Sequence, residues 1–332
     1  MNIYDIARLS GVSIATVSRV MNGSDKVSGK TRRKVLSVIQ QEGYTPNLLA
    51  QGLGQGTTHA IGIMVPEISD LFMSSCVSYL ESLLLSHGYN YVLSSSGFAQ
   101  DKKEACARAL LSRQIDALLL VGSTYAGHEK SDTDFVRSAA AQVPVFIING
   151  SVEGENIYSS VSDDKKAVYS VVTSMIGSGR KRILFLSDSR SYSANEKLEG
   201  YEQALLASSL PLLGELRMHV PSGIHDVRDL LLQYRNLSFD AVLAANDSIA
   251  VGAVKYACAR GLQIPEDLVI VGYNNSTFAE CCEPELSSID NGLKEICEKT
   301  VQRLMRVLDG DQDVEKDVTV PCRLVRRNTT DF

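Results

Sequence analysis

Residues 4–23, YDIARLSGVSIATVSRVMNG, decide the fold of the amino-terminal region. Apolar residues recur at helical spacing in residues 4–9 and again in residues 14–21. Between these segments, Gly11 suits a tight turn and Ser13 can cap the second helix. The spacing predicts a helix-turn-helix, although a helical hairpin with a solvated basic face, in a protein that never binds DNA, has the same pattern.

A third helix is predicted from about Lys30 to Gln41, with Ser28 or Gly29 near its start and Gly43 at its end. Its apolar side chains at 35, 36, 38 and 39 lie on or beside one face. Three short helices suffice for an independent DNA-binding domain, which we place at residues 1–45. Its second helix would lie in a major groove.

The charge distribution supports this assignment. The 332-residue chain has a net charge of −6, which alone argues against a nucleic-acid partner. Residues 1–60 nevertheless contain seven basic and three acidic side chains, a net charge of +4, so the remainder has −10. A basic head on an acidic body indicates a polyanion-binding module joined to a domain with a different task.

Several side chains of the head are candidates for contacts with DNA. Arg19 can form a bidentate contact with guanine, whereas Ile14 and Ala15 could read a base only by shape, for instance at a thymine methyl. These three are the predicted base-reading residues. Phosphate contacts, which position a protein without specifying sequence, are predicted for Tyr4, Ser13, Thr16, Ser18, Asn22, Ser28 and Tyr44. Val17, Val20 and Met21 are expected to pack inward.

The two stretches YDIARLSGVSIATVSRVMNG and VSGKTRRKVLSVIQQEGYTPN, residues 4–23 and 27–47, resemble the LacI/GalR family of bacterial transcription regulators. The resemblance covers the head and continues at lower identity to about residue 328. It implies a homodimer that binds a pseudo-palindromic operator and responds to a small molecule.

Residues 46–58, PNLLAQGLGQGTT, follow the head. The glycines do not form a dinucleotide-binding loop, since His59 stands where a third glycine is needed and the segment precedes a strand. The resemblance implies a short hinge helix here that places Ala50 and Leu53 in the minor groove. Gly52 would weaken such a helix, so we hypothesise that the hinge orders only on DNA.

From residue 59 onward, apolar runs alternate with longer amphipathic stretches. The runs cover residues 60–66, 90–96, 115–122, 144–150, 182–188, 240–247 and 268–274. This alternation predicts parallel sheets covered by helices on both faces. The predicted fold is therefore a small all-α helix-turn-helix domain plus an α/β body. By resemblance, the body contains two doubly wound parallel-sheet subdomains of the periplasmic-binding-protein type.

The resemblance also implies the limits of these subdomains, because the family's chain crosses between them three times. We expect an N-terminal ligand-binding subdomain of residues 59–161 plus 291–320. The C-terminal one would comprise residues 162–290 plus 321–332. A cleft between them would hold the ligand, since parallel sheets bind ligands at the carboxyl ends of their strands.

Polar residues near those strand ends, together with residues at which the resemblance implies ligand contacts, form the predicted ligand site. They are Asp70, Phe72, Met73, Asn149, Ser193, Lys197, Asn246, Asn274 and Asn291. The family usually has Arg at 197 and Asp at 149 and 274, so this pocket is less negative than a typical sugar site. A sugar or related metabolite is the predicted effector.

Each of these residues also has an ordinary structural interpretation. Asn246 could cap the following helix, and Asn149 and Asn274 could be turn residues. Lys197 could be a solvated helix charge, and Phe72 could belong to the core.

Enzymatic activity is not predicted. The five histidines show no H-x-x-x-H or H-E-x-x-H, and no G-x-S-x-G or Cys/His grouping with metal spacing occurs. No metal and no cofactor are therefore predicted. The seven cysteines are an odd number without C-x-x-C, which indicates reduced thiols.

The predicted function is a DNA-binding transcription regulator, a repressor, whose operator affinity a small molecule controls. The alternative is a small-molecule-binding protein of the periplasmic sugar-binding type with no regulatory role on DNA. The basic head and the absence of an export signal in MNIYDIARLS oppose that alternative. No segment reaches eighteen uninterrupted apolar residues, so a soluble, cytoplasmic protein is expected.

Overall fold

The structure is a computed structural model. It describes residues 1–21, 24–44, 57–127 and 130–332, with only the backbone at position 130. The chain forms two compact units, Met1–Ala60 and Ile61–Phe332. We call the first unit the head and the second the body. Among the described residues, no helix combines the length and apolar character needed to cross a membrane.

The head contains three helices, as the sequence predicts. They are α1 Ile3–Ser10, α2 Ile14–Met21 and α3 Gly29–Gln41. Asn2 and Asp5 form a capping box at the start of α1, and Gly11 ends that helix with φ +61°. The fully buried Ile6, Val17 and Val35 form the centre of a small core.

One expectation for α3 is wrong. Leu36 was expected on or beside the buried face, but it is 48% exposed. Relative to the core residue Val35, the side chains of Val38 and Ile39 project within about 60° and pack against the core, whereas that of Leu36 projects about 100° away.

The first part of the body is a six-stranded sheet in the order β11-β5-β4-β3-β1-β2. Its strands are β1 Ala60–Val65, β2 Asn90–Ser95, β3 Ala117–Val121, β4 Val145–Ile148, β5 Ile157–Ser162 and β11 Asp317–Val320. Neighbours along β1-β3-β4-β5-β11 are parallel. Helices α4 Leu71–Ser86 and α12 Leu293–Leu308 cover one face, and α5 Gln100–Leu111 and α6 Asp134–Ala140 cover the other. We call this sheet with its helices the N-subdomain.

The second part of the body is another six-stranded sheet, in the order β12-β10-β9-β8-β6-β7. Its strands are β6 Ile183–Ser187, β7 Arg217–His219, β8 Ala241–Ala244, β9 Val269–Tyr273, β10 Ser287–Asp290 and β12 Arg323–Val325. Helices α7 Asp164–Gly177 and α8 Tyr192–Ala207 cover one face, and α9 Ile224–Gln233, α10 Asp247–Arg260 and α11 Thr277–Cys281 cover the other. We call this sheet with its helices the C-subdomain.

All seven predicted apolar runs form strands, and the α/β fold class is confirmed. Strands β5, β7, β10 and β11 were not among those runs because they are short or rich in serine and charge, as in SSID of β10. Strand β12 pairs antiparallel with β10, so the second sheet is not wholly parallel. Both faces of the central strands are buried, which explains their continuous apolar character.

All seven cysteines lie in the described residues and are free thiols, as predicted. Cys76 of α4 and Cys297 of α12 face each other in the core, with their sulfurs 3.6 Å apart.

Candidate DNA-binding and effector sites

The predicted base-reading residues project from the second helix of the head. Ile14, Ala15 and Arg19 are exposed, while Val17 and Val20 of the same helix are buried. Ala15 and Arg19 are four positions apart and therefore share one face of α2. Among the described residues, nothing forms a hydrogen bond or ion pair with the Arg19 guanidinium. Its donors are free to contact a partner.

The predicted phosphate-contacting residues differ in what they do within the head. Ser13 Oγ accepts a hydrogen bond from Thr16 N at 3.2 Å, and Ser28 Oγ accepts one from Thr31 N at 3.3 Å, so both serines cap helices. Ser13 Oγ also shares a hydrogen bond with Thr16 Oγ1, and Ser28 Oγ shares one with Thr31 Oγ1, each at 2.9 Å. When the threonine is the donor, the serine hydroxyl can donate to an anion beside the positive end of the helix dipole. Tyr4 is 67% exposed.

The other predicted phosphate contacts are less exposed. Thr16 and Ser18 are half-buried on α2. Tyr44 is also half-buried and packs against the core of the head, which restricts its ring. Asn22 lies outside the described residues.

The hinge predictions cannot be placed on this structure. Ala50, Leu53 and the hinge helix itself all lie outside the described residues.

On the N-subdomain, the predicted ligand residues lie beyond the ends of β1 and β4. Asp70 caps α4 by accepting from Met73 N at 2.9 Å. Phe72 is buried in the core, as its ordinary interpretation anticipated, and Met73 is half-buried against that core. Asn149 adopts the left-handed conformation, with φ +67°, directly after β4.

On the C-subdomain, Lys197 is not a solvated helix charge. It is only 6% exposed, and its ammonium donates to Ala245 O at 3.0 Å and lies 3.6 Å from the centre of the Tyr273 ring. Burial lowers its pKa, while Asp164 is the strongest of the carboxylates that oppose this shift. Lys197 is therefore part of the packed wall behind β8 and β9.

The two polar residues that end β8 have different environments. Asn246 caps α10 by accepting from Ile249 N at 3.0 Å, and its amide donates to Asp188 at 3.2 Å. Asp247 is 2% exposed and accepts from Ser288 Oγ at 2.6 Å, as well as from the backbone and hydroxyl of a serine in the next loop. Asn246 thus caps α10, and Asp247 connects the start of α10 to β10 and to the loop after β9.

Asn274 and Asn291 lie together at the ends of β9 and β10. Asn291 donates from its amide nitrogen to Asn274 Oδ1 at 3.0 Å. Asn291 is 2% exposed, and its own Oδ1 has no hydrogen-bond partner among the described residues. Asn274 has φ +89°, a left-handed backbone that asparagine tolerates better than most residues. A buried acceptor without a donor is a position that a ligand hydroxyl could satisfy.

Sequence analysis missed Asp164, which connects two of these elements. Asp164 is 3% exposed and accepts hydrogen bonds from Ser193 Oγ and, at 2.6 Å, from Tyr273 OH. The predicted ligand residue Ser193 is thereby directed towards Asp164. The signal available in the sequence was the charged residue that starts α7 beside a predicted subdomain crossing.

The carboxyl ends of both sheets face the same space. Asp188 follows β6, yet it lies close enough to Asp70 of the N-subdomain to raise the pKa of Asp70, a shift caused mainly by reduced hydration. A hydrogen bond of 2.8 Å from Ser123 Oγ to Ser191 Oγ also joins the two subdomains. Asp70 and Asn246, which donates to Asp188, therefore lie on opposite walls of one cleft, which we call the effector cleft.

In the described part of the chain, no set of three or more His, Cys, Asp or Glu side chains is placed to hold a metal ion.

Comparisons with protein families match both units. Residues 2–47 match the model of bacterial regulatory proteins of the lacI family, and residues 172–330 match a periplasmic binding protein-like domain. An HTH-type transcriptional regulator from Lachnoclostridium phytofermentans is 44% identical over the full length of both chains. Catabolite control protein A from Priestia megaterium is 32% identical over 99% of each chain.

Solved structures of transcriptional regulators also match this chain over nearly its full length. The lac repressor dimer bound to operator and the anti-inducer ONPF superposes with a TM-score of 0.89, at 25% identity, over 99% of this chain and 98% of that one. The complex of the transcriptional regulator CelR with cellobiose gives a TM-score of 0.71 at 25% identity, over 99% and 100% of the two chains. The matched relatives are transcriptional regulators, in agreement with the prediction that the chain is not an enzyme.

Proposed function

This chain belongs to the LacI family of bacterial regulatory proteins, and we propose that it is a repressor whose affinity for its operator depends on a small molecule bound in the effector cleft. One observation carries the DNA-binding part of the proposal. The side chain of Arg19 is exposed on a capped helix of a basic unit and forms no hydrogen bond or ion pair with the described residues. Such a guanidinium is suited to the paired acceptors of guanine.

We further propose that the protein acts as a homodimer on a pseudo-palindromic operator. The related lac repressor forms a dimer on its operator. Two copies of α2 would then enter successive major grooves, so the symmetry of the DNA site would follow that of the protein. Because operator DNA lies in the bacterial cytoplasm, we place the protein there.

The proposed division of the chain is that of the sequence analysis: a DNA-binding domain of residues 1–45, a hinge of 46–58, and two subdomains of 59–161 plus 291–320 and 162–290 plus 321–332. The two sheets support the last two assignments. In this proposal Leu53 of the hinge enters the minor groove, where an apolar side chain can kink the duplex at a flexible base step.

The effector is proposed to be a sugar or a related metabolite. Asn291 Oδ1, which has no hydrogen-bond partner among the described residues, and the carboxylates of Asp70 and Asp188 are acceptors suited to ligand hydroxyls. CelR, which has the same fold, forms a complex with cellobiose. A ligand that contacts both walls would favour the closed cleft, and closure is a change that can be transmitted to a DNA-binding unit.

A two-stage experiment tests the function. Thermal unfolding of the full chain is measured with a panel of sugars, polyols, nucleosides and small acids, because a ligand that binds only the folded state raises the unfolding temperature. Each stabilising compound is then added to a DNA-binding assay on an operator selected from random duplexes. The proposal expects a changed affinity for the operator. A chain that binds DNA without sequence preference, or a stabilising compound that leaves affinity unchanged, contradicts it.

A further inference from the structure

A second feature of the effector cleft is a polar pocket of about 300 Å³ between the subdomains. Lys103 of α5 and the turn after β3 line it from the N-subdomain, and residues 189–191, after β6, line it from the C-subdomain. The hydrogen bond from Ser123 to Ser191 lies in its wall. None of the nine residues predicted to bind ligand is among its lining residues.

Lys103 is the buried cation of this pocket. The residue is 8% exposed, and its ammonium donates to Thr124 O at 2.8 Å and lies 5.7 Å from the centre of the Tyr125 ring. Burial lowers its pKa, and Asp132 partly opposes that shift. An ammonium has three hydrogen-bond donors, and the described residues accept from only one of them. Lysine is rarely buried, and the atom that accepts from this ammonium is an uncharged carbonyl oxygen, so the arrangement needs an explanation.

Two more donors are unused in the same pocket. The Arg190 guanidinium lines it from the opposite subdomain and has no hydrogen bond or ion pair with the described residues. Thr124 Oγ1 is buried and likewise without a hydrogen-bond partner among them. The pocket thus has a cation on each wall, and Asp132 is the carboxylate among its described lining residues.

From this geometry we infer that the pocket between Lys103 and Arg190 binds an anionic group, a phosphate or carboxylate, carried by the effector. The inference rests on the proposed function, because it identifies a chemical class for the molecule bound in the cleft. One anion can accept from the ammonium, the guanidinium and the threonine hydroxyl together, and charge-assisted hydrogen bonds of this kind are strong.

Because the pocket lies between the two subdomains, a bound anion would also affect how they are held together. Lys103 and Arg190 belong to different subdomains, so an anion held by both would join the two walls of the cleft, which the Ser123–Ser191 hydrogen bond also joins. The carboxylates Asp70 and Asp188 disfavour an anion where they lie. The effector is therefore expected to present hydroxyls to those carboxylates and its anionic group to the Lys103–Arg190 pocket.

The test uses the full chain with inorganic phosphate and with acetate as probes, at constant ionic strength. Binding is followed by thermal unfolding and by calorimetric titration, without DNA. The variants are Lys103→Met and Arg190→Gln, with Lys102→Met as the control because Lys102 is the exposed neighbour of Lys103. Arg190 is exposed, so its variant keeps the test valid even if Lys103→Met folds poorly.

We expect phosphate to stabilise the parent and the Lys102→Met protein, and to bind about tenfold or more weakly to Arg190→Gln and Lys103→Met. Asp132→Asn, which removes a nearby carboxylate, should bind phosphate more tightly. If both acetate and phosphate bind, the anionic group of the effector can be a carboxylate or a phosphate. If phosphate alone binds, the anionic group is a phosphate.

Two results overturn the inference: no stabilisation of the parent by either anion, or equal stabilisation of all variants. Both can occur in a protein that still binds its operator, in which case the regulator proposal stands with a neutral effector. A failure to bind DNA would instead remove the proposed function while leaving the anion titration unaffected.

Discussion

The head and the effector cleft use their functional residues in opposite ways. In the head, Ile14, Ala15 and Arg19 are exposed, and the core is made by other positions of the same helix. In the cleft, residues such as Lys197 and Asn291 are buried and hydrogen-bonded to their neighbours. In the head, the residues predicted to contact DNA are therefore different from the residues that stabilise the fold. In the effector cleft, the residues predicted to bind ligand also stabilise the folded wall of the cleft.

This difference predicts how substitutions divide between stability and function. In the head, a change at a reading residue should alter DNA recognition and leave folding intact. In the cleft, a change should alter both, because the same hydrogen bonds hold the wall together. Experiments that separate the two effects test the comparison directly.

The largest effect is expected from Asp164→Ala. Ser193 Oγ and Tyr273 OH both donate to Asp164 in the buried wall, so its loss leaves two hydroxyls without their acceptor. Such a change should cost about 3 kcal/mol of unfolding free energy, measured by urea denaturation. The control is Asp163→Ala, since Asp163 is half-buried and its side chain does not cap α7. Equal losses in the two variants would show that the cleft wall is not held by Asp164.

Arg19→Ala tests the prediction for the head, where a substitution should change DNA recognition without changing stability. The protein should retain its unfolding temperature, lose about 1–3 kcal/mol of operator affinity and accept any base at one position of each half-site. The measurement is binding to a set of single-base operator variants. Arg8→Ala removes an equal charge from α1, where Arg8 pairs with Asp5, and should keep the original base preference. An unchanged preference in Arg19→Ala would exclude this residue from base reading.

Much of the head could be predicted from the sequence because its structure is set by local signals. The capping residues Ser13 and Ser28, the turn at Gly11 and the apolar spacing are all within a few positions of the helices they define. The exposed and buried sides of α2 follow from the same spacing.

The cleft was predictable only in outline. Apolar runs located the central strands and hence the strand ends where ligand residues lie, but the partners of those residues are far away in sequence. Asp164 and Tyr273 are 109 positions apart, and Asn274 and Asn291 are 17 apart. Burial of Lys197 likewise depends on the packing of α8 against β9, which helix periodicity does not reveal.

The pH dependence of stability gives a third prediction, for Lys197→Met. Burial lowers the pKa of Lys197 in the folded protein from its ordinary value of 10.5. At pH values between the lowered pKa and 10.5, the unfolded chain therefore binds more protons than the folded chain. In this range the contribution of Lys197 to the free energy of unfolding rises with pH, by at most about 1.4 kcal/mol per pH unit. Lys197→Met should lack this rise.

The measurement is the difference in unfolding free energy between the parent and Lys197→Met, followed from neutral pH to the alkaline limit of folding. The exposed Lys166 of α7 supplies the control variant Lys166→Met, which should follow the parent. Parallel curves for the parent and Lys197→Met would mean that Lys197 is hydrated in solution.

The smallest effect on stability is expected at Asn246. Asn246→Ala removes the cap of α10 and should cost about 1 kcal/mol. Asn246→Asp keeps a capping oxygen but replaces the hydrogen bond to Asp188 with a contact between two carboxylates, so it should not restore the stability of the parent. If Asn246 also binds the effector, Asn246→Asp should lose the response to any stabilising sugar, because its new charge faces Asp188. A full response in Asn246→Asp would restrict this residue to capping.

The most direct test of the central claim is selection of binding sites for the full chain from a pool of random DNA duplexes. The account predicts enrichment of one sequence with two inverted half-sites, bound by two copies of the chain, and a loss of base preference at one position of each half-site with Arg19→Ala. Enrichment of a single asymmetric site, or of no sequence at all, would contradict the claim that the exposed face of α2 reads a symmetric operator.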